Sequence, residues 1–565
     1  MIGVIVKDEY KSEVEEFFEL FKTPWEYYVC GHQYDVVVTT EDRLPEVAPR
    51  LTIVYSSHKL HIDDRLGIVT SEHYDAGDIC FGDLIMPLYC GLLTFQLKDE
   101  AHACLQSTAG VAGLKCGRPG YNVIRIGYHL LEEIGFLLKA GQPVEQAEIP
   151  TLDIQIELLR NWIINSGIAL LEIPPAPAGH PFIVCLTHDI DFVGIRNHKL
   201  DGSFWGFAYR ASIGSLVKLF RGRTSLRRVF RNWLAVASVP LVYAGWLRDF
   251  WEPFEWYLDI ERELPATYYL IPFRGRSGEK VTGRHSFRRA AAYAVDDLTE
   301  SIHLLRCKGC EVGVHGIDAW HSVERGREEL AKLVQVTGDR ADGVRIHWLL
   351  RDRATPSVLE KCNFYYDSTV GYNETIGFRA GTTQVFRPID VEKLLELPLH
   401  IQDGALFYPG RLNLSESQAM QRCQRIIDHA LCRGGTLTVL WHDRSHSPER
   451  LWGDFYVRLV ADLKSSGAWF ATGRQAAEWF QMRRQVKFER AESVNTVRVR
   501  ILGPAHASPP LTVRLHLPES SGESNSGDTH FTISDFEWHG EQGEPNRTLA
   551  RTIASVFPEV DQCAV

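Results

Sequence analysis

Apolar and polar positions recur along this chain in distinct rhythms, and each rhythm predicts a different kind of element. Over the first 95 residues or so, strand-like runs at Ile2–Val6, Asp35–Thr39 and Leu51–Tyr55 are separated by a helical stretch over Ser12–Phe21. That pattern predicts a small α/β unit on a parallel sheet. From Tyr121 to Gly167 the spacing becomes three and four residues, through Ile124, Tyr128, Leu131, Ile134 and Leu138, which predicts helices. Pro174, Pro175, Pro177 and Pro181 then interrupt the periodicity and mark a linker.

Beyond the linker, short apolar runs alternate with helical stretches: Phe182–Thr187, Ala266–Ile271, Glu311–His315, Gly343–His347, Phe364–Asp367, Leu394–His400 and Thr436–His442. Seven strands with helices between them predict a βα barrel of about 300 residues. Six of the seven runs end in, or run directly into, His or Asp. A barrel that was only a scaffold has no need of polar groups at nearly every strand end. After residue 486, Val497–Ile501 and Leu511–Leu517 alternate like a β-hairpin, and Pro518–Asp528 is rich in Ser, Gly and acid, as a flexible loop would be. The expected organisation is an α/β domain over 1–120, a helical connector over 121–180, the barrel over 181–485 with an insertion at 193–262, and a β-rich appendix over 486–565.

Composition narrows the function classes. At 565 residues the chain is too long for one core. Its hydrophobic share of 45% and charged share of 24% are those of a globular protein. A net charge of −11 argues against a nucleic-acid partner, which needs a basic surface. The 12 cysteines form no short framework, and Cys307-Lys-Gly-Cys310 lacks a second pair, so both are read as free thiols. The apolar run Ile2–Val6 is too short for a signal peptide, so the expectation is a cytoplasmic chain with reduced cysteines. The first 95 residues carry neither GxGxxG nor a P-loop, and no nucleotide is assigned there.

The chemistry concentrates at the strand ends. His188-Asp189-Ile190-Asp191 places two carboxylates directly behind a buried strand, an arrangement that calls for a compensating cation or proton. Asp191, His315 and His321 together offer one carboxylate and two imidazoles, a donor set for a divalent metal with a position left open. Asp189 is then placed to take a proton, His442 to donate one, and Arg345 to orient or charge-balance the base. A single such histidine is more often structural than a ligand. Joint occurrence at successive strand ends reverses that expectation.

These residues resemble, in order, the five motifs of the NodB-homology polysaccharide deacetylases, carbohydrate esterase family four. Thr187-His-Asp-Ile-Asp191 is similar to the Asp base and Asp ligand of the first motif, in a spaced form. His315-Gly-Ile-Asp-Ala-Trp-His321 is similar to the second, which supplies two metal histidines. Gly343-Val-Arg345-Ile-His347, Tyr366-Asp367-Ser-Thr and Leu440-Trp-His442-Asp443 resemble the third, fourth and fifth. The resemblance implies an incomplete (β/α)7 barrel over roughly 180–480, and a metal-dependent hydrolase that removes acetyl from an N-acetylated sugar of a polysaccharide or lipid-linked glycan. Zinc is the first choice of metal, with cobalt and nickel as alternatives. Two departures stand out. The family's second histidine lies four residues after the first, where this chain has Ala319, so His321 is expected to substitute on a longer loop, with Asp318 a competing oxygen ligand. The proline of the usual Arg-x-Pro is replaced by His347. His347, His188, Asp367 and Arg379 are read as substrate-binding positions, although Arg379 suits a structural salt bridge equally well. The alternatives are hydrolysis of another non-peptide C–N bond on the same barrel, and a metal-free glycan-binding module.

Asp191 and His315 are 124 residues apart, far more than one βα unit requires. Residues 196 to 231 hold nine Lys or Arg against one acid, Asp201, with aromatics interleaved, and Trp233–Leu247 is uncharged for 15 residues. One reading of residues 196–248 is an interfacial segment on an anionic membrane. The other is a helical lid over the barrel with its arginines in solvent.

Overall fold

The computed structural model describes residues 1–97, 101–118, 121–222, 224–279, 289–488, 508–518 and 531–538. It divides into two compact units, one of Met1–Gly179, Ala380–Thr382 and Glu478–Val565, the other of His180–Arg379 and Thr383–Ala477. The strand expected at Val497–Ile501 and nearly all of the loop expected at Pro518–Asp528 lie outside the described residues.

In the first unit, Trp25–Tyr27, Ile2–Ile5, Val36–Thr39, Leu51–Tyr55 and Tyr121–Ile126 are neighbours in that order, all parallel. Val36–Val38 and Ile53–Tyr55 are buried on both faces, the environment that β-branched runs favour. The sheet then continues antiparallel through Gly110–Arg118, Leu92–Gln96 and Val69–Tyr74. The parallel sheet read from the sequence therefore makes up one part of a mixed one. The helical stretch expected from Tyr121 begins as a strand, and helices start only at Leu130–Lys139 and Thr151–Asn165. Val123, Ile124, Arg125 and Ile126 are all buried, so no two-residue alternation announced that strand. Leu511–Pro518, expected to pair with Val497–Ile501, pairs antiparallel with Phe531–Trp538 and with Leu170–Glu172.

The second unit is a parallel sheet wound into an incomplete barrel. Its order is Leu395–Glu396, Tyr366–Asp367, Gly343–Ile346, Glu311–Gly316, Ala266–Leu270, Ile183–Ile190, Thr436–Leu440 and Ile401–Gln402, with Trp469–Phe470 also beside Ile183–Ile190. Of the single strand expected at Leu394–His400 only Leu395–Glu396 forms, and a second short strand, Ile401–Gln402, follows it. The first pairs with Tyr366–Asp367 and the second with Val439–Leu440, so this short stretch of chain reaches both edges of the opening. Strand Ile183–Ile190 is buried at every residue and uses its two faces differently. Val184, Leu186 and Ile190 join the main apolar core, while Thr187 and Asp189 both meet the guanidinium of Arg345. Glycines make room for the interior aromatics: a Cβ on Gly343 would lie 2.3 Å from the Tyr366 ring, and one on Gly313 2.8 Å from Tyr269. The insertion folds as helices Gly202–Tyr209, Ser215–Phe220 and Leu226–Tyr243, a π-turn at Arg210–Gly214, and helix Phe254–Glu261.

A candidate metal centre and its flanking acid–base groups

Three donors converge at the C-terminal ends of three strands of the barrel sheet. Asp191 lies one residue past Ile183–Ile190, His315 near the end of Glu311–Gly316, and His347 one residue past Gly343–Ile346. One ligand atom from each lies within 4.8 Å of the others, the group among the described residues suited to a metal. Asp191 Oδ1 is 3.4 Å from His315 Nε2 and 3.3 Å from His347 Nε2. That oxygen is buried without a hydrogen-bond partner, as is His347 Nδ1. Buried polar atoms are costly when unpaired, and an ion among these atoms would satisfy the carboxylate.

The ring of His315 is set for ligation. Its Nδ1–H donates to the Arg345 carbonyl at 2.9 Å, so Nε2 presents its lone pair to the cluster. Burial pushes His347 down to about 3, against the pull of Asp191, so its imidazole stays neutral. Burial would raise the Asp191 carboxyl, but His347, His315 and His442 hold it well below the ordinary range. Directly after His347 the backbone turns through left-handed conformations, at φ 68° for Trp348 and 53° for Leu349. Non-glycine residues pay for such angles with strain, which tends to accumulate at functional sites. One carboxylate and two neutral imidazoles fit a divalent transition ion.

Two acid–base groups flank the cluster. Asp189 Oδ1 accepts from Arg345 Nη1 at 3.0 Å, while its Oδ2 lies 3.8 Å from His315 Nε2. Arg345 itself is fully buried and fixed through Thr187 Oγ1, the Ser368 carbonyl and hydroxyl, and the face of Tyr269. His442 donates from Nδ1 to Asp403 Oδ1 at 2.6 Å, and its backbone N–H reaches Asp403 Oδ2 at 2.8 Å. Burial disfavours a charged ring there, but the charge and hydrogen bond of Asp403, with Asp191 and Asp189 nearby, outweigh it and push His442 up to about 10. Asp443 next to it is pushed up to about 8, by burial and then by the charge of Asp191.

The structure brings Asp189, Asp191, His315, Arg345 and His442 together, and places other residues singled out in the sequence differently. His321 is outside the donor cluster: its Nε2 faces Asp318 at 3.5 Å, and Asp318 is engaged by the Glu279 backbone. The second imidazole of the cluster is His347, read from the sequence as substrate-binding. His188 is fully buried, its Nδ1 against the Trp441 carbonyl at 2.9 Å and its Nε2 against Glu261 at 2.7 Å, between Tyr257 and Tyr268, so it is a core residue. Asp367 is also buried, is bonded by Thr369, and is pushed up to about 6 by burial, so it does not line an open surface. Arg379 donates to the Gly371 carbonyl at 2.6 Å and sits near the ring of Tyr372. No motif pointed to Asp403, because the strand before it was expected to end at His400. The signal for His347 was parity. Asp189 and Asp191 share one side of their strand end, and Arg345 and His347 share the corresponding side of theirs.

No family model matches the chain, and no curated protein sequence matches it. Solved structures to which the chain is similar include the following. A protein described as a polysaccharide deacetylase from Mycobacterium smegmatis is 18% identical, with 57% of this chain and all of that one covered and a TM-score of 0.34. A PuuE allantoinase is 14% identical, covering 54% and 92%, with a TM-score of 0.33. A family 4 acetyl xylan esterase from Clostridium thermocellum, in complex with a cobalt ion, is 14% identical, covering 52% and 89%, with a TM-score of 0.23. At such values the chemistry has to be read from the site itself.

Proposed function

We propose that this protein is a metal-dependent hydrolase that removes acetyl groups from an N-acetylated sugar of a polysaccharide or lipid-linked glycan. The observation that carries the reading is the convergence of Asp191, His315 and His347 on one point, with Asp189 and His442 beside it, each held by its own buried partner. Asp191, His315 and His347 hold the ion, for which zinc is the first choice and cobalt or nickel the alternatives. When bound, such an ion polarises the acyl carbonyl and stabilises the charge developing on its oxygen. Asp189, positioned by Arg345, accepts the proton of the attacking water through Oδ2. His442, positioned by Asp403, holds a proton at Nε2 and delivers it to the departing sugar amine. One carboxylate to take a proton and one imidazolium to give one are the pair that amide hydrolysis needs.

The test is acetate release from N-acetylated saccharides by the full chain, with and without chelator, alongside metal analysis of the same preparation. The expected result is chelator-sensitive release with about one ion per chain. Stoichiometric metal without acetate from any N-acetylated saccharide overturns the deacetylase assignment, and a cyclic-amide substrate then becomes the next assay. Absence of metal overturns the hydrolase assignment and leaves a glycan-binding module.

A further inference from the structure

The insertion after Asp191 carries a surface that the barrel chemistry leaves unexplained. Among the described residues, 13 of the 24 large apolar side chains exposed to solvent lie between Leu200 and Leu247. They are arranged in register with the helices. Along the run Gly202–Phe220, Phe207, Ala211 and Ser215 turn inward at four-residue spacing. Trp205, Tyr209, Ile213 and Val217 keep the same spacing on an exposed side, and Phe220 ends the run at 87% exposure. Helix Leu226–Tyr243 repeats the design, with Val229, Ala235, Val239 and Val242 buried and Leu226, Phe230, Trp233, Leu234 and Leu241 exposed. The inward residues already have their small core, with Ile195 and Trp251. A surface helix of a soluble domain is polar opposite its core. These helices are apolar there as well, and a patch of this kind marks an interaction surface.

Charge selects the occupant. The chain is net acidic at −11, yet residues 196 to 231 hold nine basic residues and one acid. Arg221 is exposed directly after Phe220 at the end of one helix, and Arg227 and Arg231 are exposed beside Leu226 and Phe230 on the next. Arg228 is employed differently: it pairs with Glu416 at 3.1 Å and Asp454 at 3.4 Å, tying the insertion to the barrel's own helices. A second copy of this chain would bring like charges face to face across a two-fold contact. No helix of the described residues is long and apolar enough to cross a membrane, so the segment would lie in an interface and not span it. We propose that the exposed faces of Gly202–Phe220 and Leu226–Leu247 dock on an anionic lipid surface, with the tryptophans and phenylalanines in the headgroup–acyl boundary and Arg221, Arg227 and Arg231 on the lipid phosphates. The proposal stands on this surface alone, whatever reaction the barrel catalyses.

The experiment is flotation of the full chain with vesicles of phosphatidylcholine alone and of phosphatidylcholine mixed with phosphatidylglycerol. The chain is expected to float with the anionic vesicles, to be released by added salt, and to bind neutral vesicles at least about tenfold more weakly. Joint Arg221→Ser, Arg227→Ser and Arg231→Ser substitution is expected to weaken anionic binding by roughly a hundredfold, and Phe220→Ser with Phe230→Ser to abolish flotation. Brominated lipid is expected to quench tryptophan emission of the unaltered protein, a readout that needs no variant to fold. Absence of both flotation and quenching with anionic vesicles overturns the proposal. Binding that ignores lipid charge and salt overturns it too, as does a dimer in sedimentation that dissociates in the Phe220→Ser, Phe230→Ser chain while no vesicle is bound.

Discussion

Each of the two units buries an arginine against an aspartate, and the two pairs have opposite meanings. In the first unit Arg125 Nε meets Asp63 Oδ1 at 2.8 Å with both side chains wholly buried. The remaining guanidinium hydrogens go to the carbonyls of Ser56, His58 and Ile126, and Asp63 Oδ2 takes Arg125 Nη2 and the Leu60 N–H. Nothing is left over. In the second unit Arg345 is as deeply buried and makes four hydrogen bonds, but its aspartate is not closed off. Among the described residues, Asp189 Oδ2 faces a histidine at 3.8 Å, and the neighbouring Asp191 Oδ1 has no hydrogen-bond partner. A buried ion pair is weak evidence of function, since desolvation offsets most of what the pairing gains. The informative feature is the polar atom that the fold buries and leaves unsatisfied, because its cost is removed only by something the chain does not itself supply.

The contrast is sharpened most by disabling the open pair. Asp189→Asn is expected to slow acetate release by roughly 10²–10⁴-fold with metal content unchanged, since an amide keeps the bond to Arg345 and cannot take a proton. A near-normal rate would falsify the role of Asp189 and erase the functional side of the comparison. Next comes the donor set. His347→Ala is expected to abolish stoichiometric metal binding, measured by elemental analysis, while His321→Ala retains it. The reverse outcome returns the ligand role to His321 and its loop.

The closed pair should fail in stability. Asp63→Ala leaves a buried guanidinium uncompensated and is expected to cost the first unit roughly 3–5 kcal/mol in urea unfolding, with metal content retained in the folded chain. Loss of the ion from a chain that is still folded breaks the distinction between the pairs.

The smallest effect concerns another acid of the first unit. Glu133 accepts the Tyr89 and Cys90 backbone N–H groups, and burial pushes it from 4.5 up to about 7. Between those values the folded state keeps a proton that the unfolded chain has given up. Its contribution is therefore complete below pH 4.5 and is lost as pH rises toward 7, by about 3 kcal/mol at most. In Glu133→Gln that part of the pH dependence of the urea midpoint should disappear. An unchanged profile assigns it to other groups.

What the sequence determined by itself is the place of most barrel strands and the polar residues at their ends. Ile183–Ile190, Glu311–Gly316 and Thr436–Leu440 are mostly apolar because parallel strands are buried on both faces, and the His and Asp residues at or just past their ends stand out against that background. Asp189, Asp191, His315, Arg345 and His442 were legible for that reason. The doubly apolar helices of the insertion were legible too, as a basic stretch followed by an uncharged one. Tertiary structure alone decided which histidine joins Asp191. His321 is closer to His315 in sequence, but the parallel register of His315 with Arg345 brings His347, from the next strand, into the cluster. It also decided that His188 faces the core, because alternation along a strand turns it away from Asp189, and that Asp403 holds His442, because the edge strand Ile401–Gln402 runs beside Thr436–Leu440 there. Spacing along a chain measures reach within one loop. Contact between strand ends is set by sheet register, which pairs residues that no local pattern connects.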